Sequence, residues 1–388
     1  MTYALPYVLV LVFFAAMALI YAQRCDIEED KALCNSIVSL SIGVFFVFFA
    51  FRGYAYTDWA SYSQTYKDVS WNDIYSIISD KQSAVIHEPG FTLLMCICRL
   101  FSDEYAFLVA IITTIDTLLL IRFLRHWDIK NVPFVLMLFV AFQGVTIVFN
   151  LLRNQIAIFI FINLIEYIVE KKPQKYYLGC LLALCFHSSS ALYFPLYLFA
   201  GRKLNKWVFL LTFLLFFSFF MSKISLVSTV ISLLNVDGVV SEKIVAYTEM
   251  FGGERIFSIT GTIEKFSLVG LIFLFYDRLT EKKRNIILIN CLLINYFFYF
   301  MFAEFQMMSY RMFLLFEFPY WILWIEILNL IEIPNNKRLV AMFVFTLCFY
   351  IQINDYIEPV QEYDNLLFGG KSQAERLRIR EQTLERLK

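Results

Sequence analysis

Charged side chains collect at the ends of several long apolar segments of this 388-residue chain. They are Arg52, Asp58, His87, Glu88, Arg153, His187, Glu304 and Arg311. An ionised group at the centre of a bilayer costs about 2.5–3.5 kcal/mol on insertion scales, and a group at the interface costs much less. Arg52 and Arg311 could therefore be ordinary interface arginines. Arg153 lies between two apolar stretches, so its charge needs an anion or a wet cavity.

Arginines gathered at one face suit a phosphate or a diphosphate. The guanidinium fork binds phosphate oxygens in pairs and stays charged. We therefore predict Arg52, Arg153 and Arg311 as ligands of a diphosphate, and near a membrane surface the natural diphosphate is that of a lipid. Asp58, Glu88 and His187 are candidates to take a proton from a sugar hydroxyl. The three residues are alternatives, because the charge pattern alone does not rank them.

Neither a metal nor a cofactor is predicted. The chain has no Asp-x-Asp motif at this face, and its acidic run, residues 26–30, is expected on the opposite, cytoplasmic side. The eight cysteines form no Cys-x-x-Cys pair and no Cys/His group with zinc spacing. The formal net charge is zero, so no basic field favours a nucleic-acid partner.

The elements that must position these residues are membrane helices. Sixty per cent of the residues are apolar and 17% are charged, against about a quarter charged in soluble domains. A span needs about 20 apolar residues. The candidate spans are 4–22, 33–51, 104–121, 133–150, 153–169, 207–222, 259–276, 286–303, 312–330 and 338–354. We predict an all-α polytopic membrane protein with about 10–12 transmembrane helices plus short re-entrant or half helices.

Two further apolar segments are not simple spans. Segment 90–101 is short, and segment 176–200 is interrupted by His187 and three serines. All five clusters of basic loop residues can lie in the cytoplasm only if 90–101 does not cross and 176–200 turns back near His187. The alternative topology makes each segment a single span and exports two of the five basic clusters.

The preferred topology predicts one integral membrane domain, residues 1–354. Its external loops are 52–88 and 223–258, and the tail 355–388 is external as well. The end of the tail, from Lys371, carries basic and acidic residues around three leucines, which favours a solvated or surface-lying helix. The candidate residues then all face the outer side of the membrane.

Four motifs stand at these positions. They are Phe51-Arg52-Gly53 with Thr57-Asp58-Trp59-Ala60-Ser61-Tyr62, then His87-Glu88-Pro89-Gly90-Phe91, then Leu152-Arg153-Asn154-Gln155, and Phe186-His187-Ser188-Ser189-Ser190-Ala191-Leu192 with Pro195. In order and placement they resemble the EpsG/Wzy family of polysaccharide polymerases. Tyr310-Arg311-Met312-Phe313 and Tyr363-Asp364-Asn365 are similar to late elements of that family. One extra serine after His187 departs from its pattern.

The resemblance implies a metal-independent, GT-C-like membrane glycosyltransferase of the bacterial inner membrane, with its active site facing the periplasm. It would join undecaprenyl-diphosphate-linked repeat units into O-antigen or a related surface polysaccharide. Donor and acceptor are both undecaprenyl-diphosphate glycans, and a chain-length regulator and a flippase are expected partners beside the membrane lipids. The repeat unit, the linkage and the anomeric outcome are not encoded in the motifs.

The resemblance also gives the candidate residues their roles. Arg153 and Arg311, with Arg52 as a third candidate, would hold the donor diphosphate. Either Glu88 or His187 would take the acceptor proton, with Glu88 favoured as base and His187 as phosphate or hydroxyl ligand. The remaining predicted site residues are Asp58, Tyr62 and Gln155, which would orient the sugar or the loop.

Two other functions stay open from the sequence. An O-antigen ligase would use the same diphosphate arginines to move a finished glycan onto another acceptor. A lipid-linked oligosaccharide flippase is the second alternative. Transporters often show internal repeats and polar groups near the midplane of the membrane, and this chain shows neither clearly.

Overall fold

The computed structural model describes residues 3–25, 31–78, 87–223 and 257–386. Within these ranges the chain is helical, and an isolated antiparallel bridge joins Arg52 to Asn365. Seven helical segments in the described ranges are long and apolar enough to cross a bilayer, and one bent pair of helices would make eight. These findings confirm an all-α polytopic membrane protein.

The chain divides into two compact units, residues 1–195 with 341–388, and residues 196–340. The helices of the first unit before residue 130 are α1 Leu5–Arg24, α2 Lys31–Ala50, α3 Trp59–Asp68, α4 Trp71–Ile78, α5 Pro89–Arg99 and α6 Tyr105–His126. Those that follow are α7 Val132–Phe139, a π-helical turn Val140–Gly144, α8 Val145–Asn150, α9 Leu152–Ile162, α10 Ile165–Val169, α11 Pro173–Leu184 and the 3₁₀ helix Ser188–Tyr193.

The second unit contains α12 Leu196–Phe199, α13 Lys206–Met221, α14 Ile259–Leu274, α15 Tyr276–Leu279, α16 Lys283–Met301, α17 Gln306–Leu314 and α18 Phe318–Leu330. Helix α19, Pro334–Asp355, begins in the second unit and ends in the first, which also holds the 3₁₀ helix Pro359–Gln361 and α20 Gln373–Arg386. The predicted span 312–330 is a bent pair, since α17 and α18 meet at 53°. The predicted external loop 223–258 lies outside the described residues except at its ends.

The two apolar segments that were not expected to cross are short in the structure. Helix α5 has 11 residues, a length of about 17 Å at 1.5 Å per residue, against roughly 30 Å of hydrocarbon. It begins at Pro89, where a proline costs little because the first-turn N–H has no helical partner. Segment 176–200 ends its first helix, α11, at Leu184, turns at His187 and continues as a 3₁₀ helix. The interruptions seen in the sequence are therefore real breaks.

The chain after α19 returns to the residues that follow α2. Arg52 pairs with Asn365, and the N–H of Gly53 donates to the carbonyl of Asp364 at 2.9 Å. A Cβ atom on Gly53 would lie 1.7 Å from Oδ1 of Asp364, so any larger residue would displace the carboxylate that pairs with Arg376. The hydroxyl of Tyr363 donates to a carbonyl in the last turn of α2 at 3.0 Å. The early Arg-x-Gly motif and the late Tyr-x-Asn motif are thus two halves of one contact.

Helix α20 lies on the segment around α3. Its Arg376 is buried and pairs with Asp364 at 2.9 Å. Arg380 donates from Nε to the carbonyl of Thr57 at 3.0 Å, and Gln373 donates to Ser63 Oγ at 3.2 Å. The helix expected to be solvated or surface-lying is therefore anchored to the segment around α3.

A disulfide joins Cys25, just after α1, to Cys34 in the first turn of α2. No cysteine spacing in the sequence predicted this pair. The other six cysteines form no disulfide among the described residues. Five of the six are buried, and Cys185 is half-buried, as expected for cysteines that pack as small apolar residues.

Candidate active site

An ion pair between Arg153 and Glu88 forms the centre of the site. Arg153 is in the first turn of α9, and Glu88 is the extended residue that precedes α5. Nη1 of Arg153 donates to Oε2 of Glu88. The two side chains are only 20% and 16% exposed. Two residues separated by 65 positions are therefore brought together, and the anion that the isolated Arg153 required is Glu88.

The turn of the 176–200 hairpin holds Glu88 from the other side. The backbone N–H of Ser188 donates to Oε1 of Glu88 at 2.8 Å. The N–H of Gly90 donates to the carbonyl of Cys185, also at 2.8 Å. A Cβ atom on Gly90 would lie 2.8 Å from that same carbonyl oxygen. The Glu-Pro-Gly motif therefore starts a short helix and lets its first turn approach the hairpin backbone closely.

The surroundings of Glu88 set its ionisation. Burial by itself raises the pKa of this carboxyl group, but the N–H of Ser188 and the charge of Arg153 outweigh burial, so the pKa of Glu88 is lowered. Glu88 is consequently ionised at neutral pH. With Arg153 as its partner it is a weak base, and it becomes a stronger one if that partner is withdrawn.

His187 is oriented by the serines that follow it. The N–H of Ser189 donates to Nδ1 of His187 at 3.1 Å, and Oγ of Ser189 lies 2.7 Å from the same nitrogen. Because Nδ1 accepts a backbone N–H, hydrogen bonding assigns the proton of the neutral ring to Nε2. Oγ of Ser189 also lies 2.9 Å from Oδ1 of Asn154, beside Arg153 on α9. The hairpin turn and α9 are thus joined around the ion pair.

Helix α3 brings Tyr62 and Asp58 to the same place. Nε of Arg153 donates to the hydroxyl of Tyr62 at 3.3 Å, and the guanidinium lies 5.9 Å from the centre of the Tyr62 ring. The backbone N–H of Asp58 donates to Oδ1 of Asn150 at 3.2 Å. Asp58 stands at the N-terminus of α3. The segment around α3 is thus tied both to the end of α8 and to Arg153.

Arg52 is placed differently from Arg153. Its Nη1 donates to the carbonyl of Phe49 at 3.0 Å and its Nη2 to the carbonyl of Val148 at 2.7 Å. It is 5% exposed, with its guanidinium 4.9 Å from the ring of Phe149. In this position it caps two helix ends, where a cation is favourable. Its role as a phosphate ligand stays a prediction, and would require it to leave these carbonyls.

The remaining predicted residues are Gln155 and Arg311. Gln155 is fully buried on α9, and neither atom of its amide has a hydrogen-bond partner among the described residues. Arg311 belongs to the second unit, where it is exposed on α17. The structure therefore brings Glu88, Arg153 and Tyr62 into contact, with His187 bonded to the same turn, and places Arg311 in the other unit.

Sequence reasoning missed buried charges in the second unit. Lys265 on α14 is 6% exposed, 3.4 Å from Glu264 and 4.1 Å from the centre of the Tyr299 ring. Glu317, 4% exposed, accepts a hydrogen bond of 2.8 Å from Asn295. The signal was present, because Glu264 and Lys265 interrupt a predicted span. Ser188 and Asn154 were also missed as partners, since nothing in the sequence pairs them across the fold.

The fold and this site define a multi-pass membrane protein that holds an arginine–carboxylate pair where three short helices meet. The chain belongs to the EpsG family, whose sequence model matches residues 35–365. This is a family of polysaccharide polymerases of the Wzy or exopolysaccharide type, so the protein acts in polysaccharide biosynthesis. Among curated proteins none matches the chain, and no solved structure matches it.

Proposed function

We propose that the protein polymerises undecaprenyl-diphosphate-linked oligosaccharide repeat units into O-antigen or a related surface polysaccharide, at the periplasmic face of the inner membrane. The observation that carries the proposal is the partly buried Arg153–Glu88 pair, held between α5, α9 and the hairpin turn. A cation for a leaving diphosphate and a carboxylate for an acceptor proton lie side by side there. Membership in a family of polysaccharide polymerases supplies the substrate class.

The reaction needs one bond exchange. A hydroxyl oxygen of the acceptor glycan attacks the anomeric carbon of the donor's first sugar, and the bond from that carbon to the diphosphate oxygen breaks. The bonding electrons leave with undecaprenyl diphosphate, and the hydroxyl proton goes to a base. Arg153 offsets the negative charge that develops on the leaving oxygen, a contribution of the oxyanion-hole type. Its fork bonds two phosphate oxygens at once.

Binding of the donor would change Glu88. The diphosphate competes with the carboxylate for the guanidinium of Arg153. A Glu88 without that partner is more basic, because the charge that lowers its pKa is withdrawn. The N–H of Ser188 still holds it in place. In this scheme Glu88 is an ion-pair partner at rest and the base in the complex.

His187 is better suited to the ligand role. Its Nδ1 accepts the N–H of Ser189, so in the neutral ring the proton is on Nε2. That nitrogen can donate a hydrogen bond to a phosphate or hydroxyl oxygen, but it cannot accept a proton without a change of tautomer. Tyr62 fixes the direction of Arg153. Asp58, Gln155, Arg52 and Arg311 remain proposed contacts of the sugar or the diphosphate.

The test is an Arg153→Ala strain assayed for the length distribution of its glycan. We expect single repeat units in place of the long ladder, with normal amounts of protein in the membrane. An Arg125→Ala strain is the matched control, because Arg125 is exposed at the end of α6, and it should keep the full ladder. Normal ladders in Arg153→Ala at a normal protein level would overturn the diphosphate role.

Gene deletion separates this proposal from the two alternatives. Loss of a polymerase leaves single repeat units attached to their acceptor, whereas loss of a ligase leaves no glycan attached. A flippase makes no polymer when vesicles receive only substrate that is already on the outer side. Accumulation of polymer in such vesicles would exclude the flippase.

A further inference from the structure

A polar cavity lies in the first unit, where residues of α3, α5, the start of α6 and α20 meet. Its volume is about 380 Å³. It is lined by Tyr54, Lys67, Arg99, Asp103, Glu104 and Tyr105, and by Gln373 of α20. Ligand pockets are usually about 300–1,000 Å³, so the space suits a ligand of one or two sugar rings. The proposed reaction uses none of these residues.

The lining has the chemistry of a carbohydrate site. Every lining side chain carries a hydrogen-bonding group, and each sugar hydroxyl both donates and accepts. The rings of Tyr54 and Tyr105 are stacked, with centroids 6.1 Å apart and planes at 17°. Tyr54 also contacts Trp59, at 4.8 Å. The buried rings of Tyr105 and Trp59 support the half-buried ring of Tyr54. The Tyr54 ring offers an apolar surface to the C–H face of a sugar, while the polar rim meets its hydroxyls.

The charge of the lining argues against a second phosphate site. Two basic residues, Lys67 and Arg99, are matched by two acidic ones, Asp103 and Glu104. A diphosphate would meet carboxylate oxygens that repel it, and desolvating like charges together is costly. A neutral polyhydroxy ligand meets donors and acceptors in equal supply. The lining therefore favours an uncharged saccharide.

The walls are held in place before any ligand binds. Nη1 of Arg99 donates to the carbonyl of Val69 at 2.6 Å, and its Nε to Asp103 at 3.2 Å. Nζ of Lys67 lies 3.3 Å from Oε1 of Gln373. Because these bonds cross between α3, α5 and α20, the cavity is preformed, which lowers the entropic cost of binding.

The cavity adjoins the Arg153 site through α3. Lys67 and Tyr62 lie on this same helix, five positions apart, which is about 7.5 Å along the axis. Tyr62 receives the hydrogen bond of Arg153. Tyr105 in the cavity wall is an electrostatic neighbour of both Tyr62 and Asp58. The Arg153 site and the cavity wall are thus connected through one helix, α3.

We propose that this cavity is a subsite for a neutral saccharide unit of the glycan, away from the bond that is made. The subsite depends on the proposed polymerase function only in that the bound sugar is taken to belong to the polymerised glycan. The subsite would recognise the repeat unit and hold the glycan in place during transfer. Helix α20 contributes Gln373 to the wall, so the C-terminal tail takes part in recognition.

The test measures binding without catalysis. The probe is the lipid-free oligosaccharide repeat unit released from the cell's own polysaccharide, radiolabelled and applied up to 10 mM to the purified full-length protein in nanodiscs. Equilibrium dialysis compares the wild type with Tyr54→Leu and Glu104→Gln. Tyr75→Ala is the control, because Tyr75 is 64% exposed on α4 and lies outside the cavity. Melting temperature verifies that each variant is folded.

We expect the wild type and Tyr75→Ala to bind alike, and each cavity variant to bind about tenfold more weakly or worse, because Glu104→Gln removes a charged acceptor and Tyr54→Leu removes the aromatic ring. Arg153→Gln should still bind, since the probe has no diphosphate. Equal binding by the folded Glu104→Gln and Tyr54→Leu variants, or no binding by the wild type, would overturn the subsite. The proposed polymerase function fails on a different result, a normal ladder in Arg153→Ala.

Discussion

The ion pair between Arg153 and Glu88 can be tested as a coupling free energy. We consider Glu88→Gln, Arg153→Gln and the double variant. Glutamine keeps the shape at position 88, and its side-chain oxygen can still accept the N–H of Ser188 that now bonds Oε1. The cycle therefore isolates the charge pairing from the contacts around it.

The burial of the two side chains sets the magnitude. Removing one partner of a fully buried pair costs about 3–5 kcal/mol, and exposed pairs contribute about 0–1 kcal/mol. Both side chains here keep a small exposed fraction, 20% and 16%. We therefore expect a coupling free energy of unfolding of about 1.5–3 kcal/mol, the range for hydrogen bonds to charged groups.

The assay is denaturant unfolding of the four proteins in the same detergent. Arg278 and Glu332 supply a matched control cycle, because they pair at 2.9 Å but are 47% and 78% exposed. Their coupling should stay below about 1 kcal/mol. A coupling for Arg153 and Glu88 no larger than that of the control would refute the burial on which the site rests. An Arg153→Lys variant should keep part of the coupling and still lose polymer, because lysine has no fork.

Three further predictions use the same contacts. Gly90→Ala should lower the free energy of unfolding by about 1–3 kcal/mol through overpacking against the hairpin backbone. Gly43→Ala, inside α2 with no atom within 4 Å of the new Cβ, should not lower it and should raise it slightly. The pKa of Glu88 is lowered in the folded state, so the ionised carboxylate stabilises the fold above the unfolded pKa of about 4.5. This stabilisation is lost as the pH falls through the lowered folded-state value. The free energy of unfolding of Glu88→Gln should therefore change less with pH in this acid range, and an unchanged slope would contradict the argument. If the site faces the periplasm, as proposed, Cys25 and Cys34 lie in the reducing cytoplasm and are thiols in the cell. Alkylation during lysis in denaturant, which exposes the buried cysteines, should then label eight thiols, against six after oxidation of the purified protein. Six labelled thiols from the cells would contradict the proposed orientation.

Much of the fold could be predicted because a membrane imposes a length on its helices. Apolar runs of about 20 residues mark spans wherever the chain places them. The short α5 was predictable because segment 90–101 has too few apolar residues for a span. The break in segment 176–200 was predictable because His187 and three serines interrupt it. The disulfide between Cys25 and Cys34 was not, because a spacing of nine residues does not by itself bring two thiols together.

The candidate site was predicted less completely. The sequence placed Glu88, Arg153 and His187 at segment ends, since ionised groups are costly anywhere deeper. It treated Arg52 and Arg153 alike, although one bonds two helix-end carbonyls and the other bonds a carboxylate. The difference depends on which backbone carbonyls lie within reach, and that is set by packing between distant segments.

The sequence by itself determined the class of protein, the positions of the helices and the residues able to carry charge near the membrane surface. Hydropathy and side-chain chemistry are local, so they can be read without a fold. Only the tertiary structure decided that Arg153 pairs with Glu88, that Ser188 holds the same carboxylate, and that the C-terminal helix contributes Gln373 to the wall of the polar cavity. These contacts join residues tens to hundreds of positions apart, and such pairings arise from packing rather than from any local pattern.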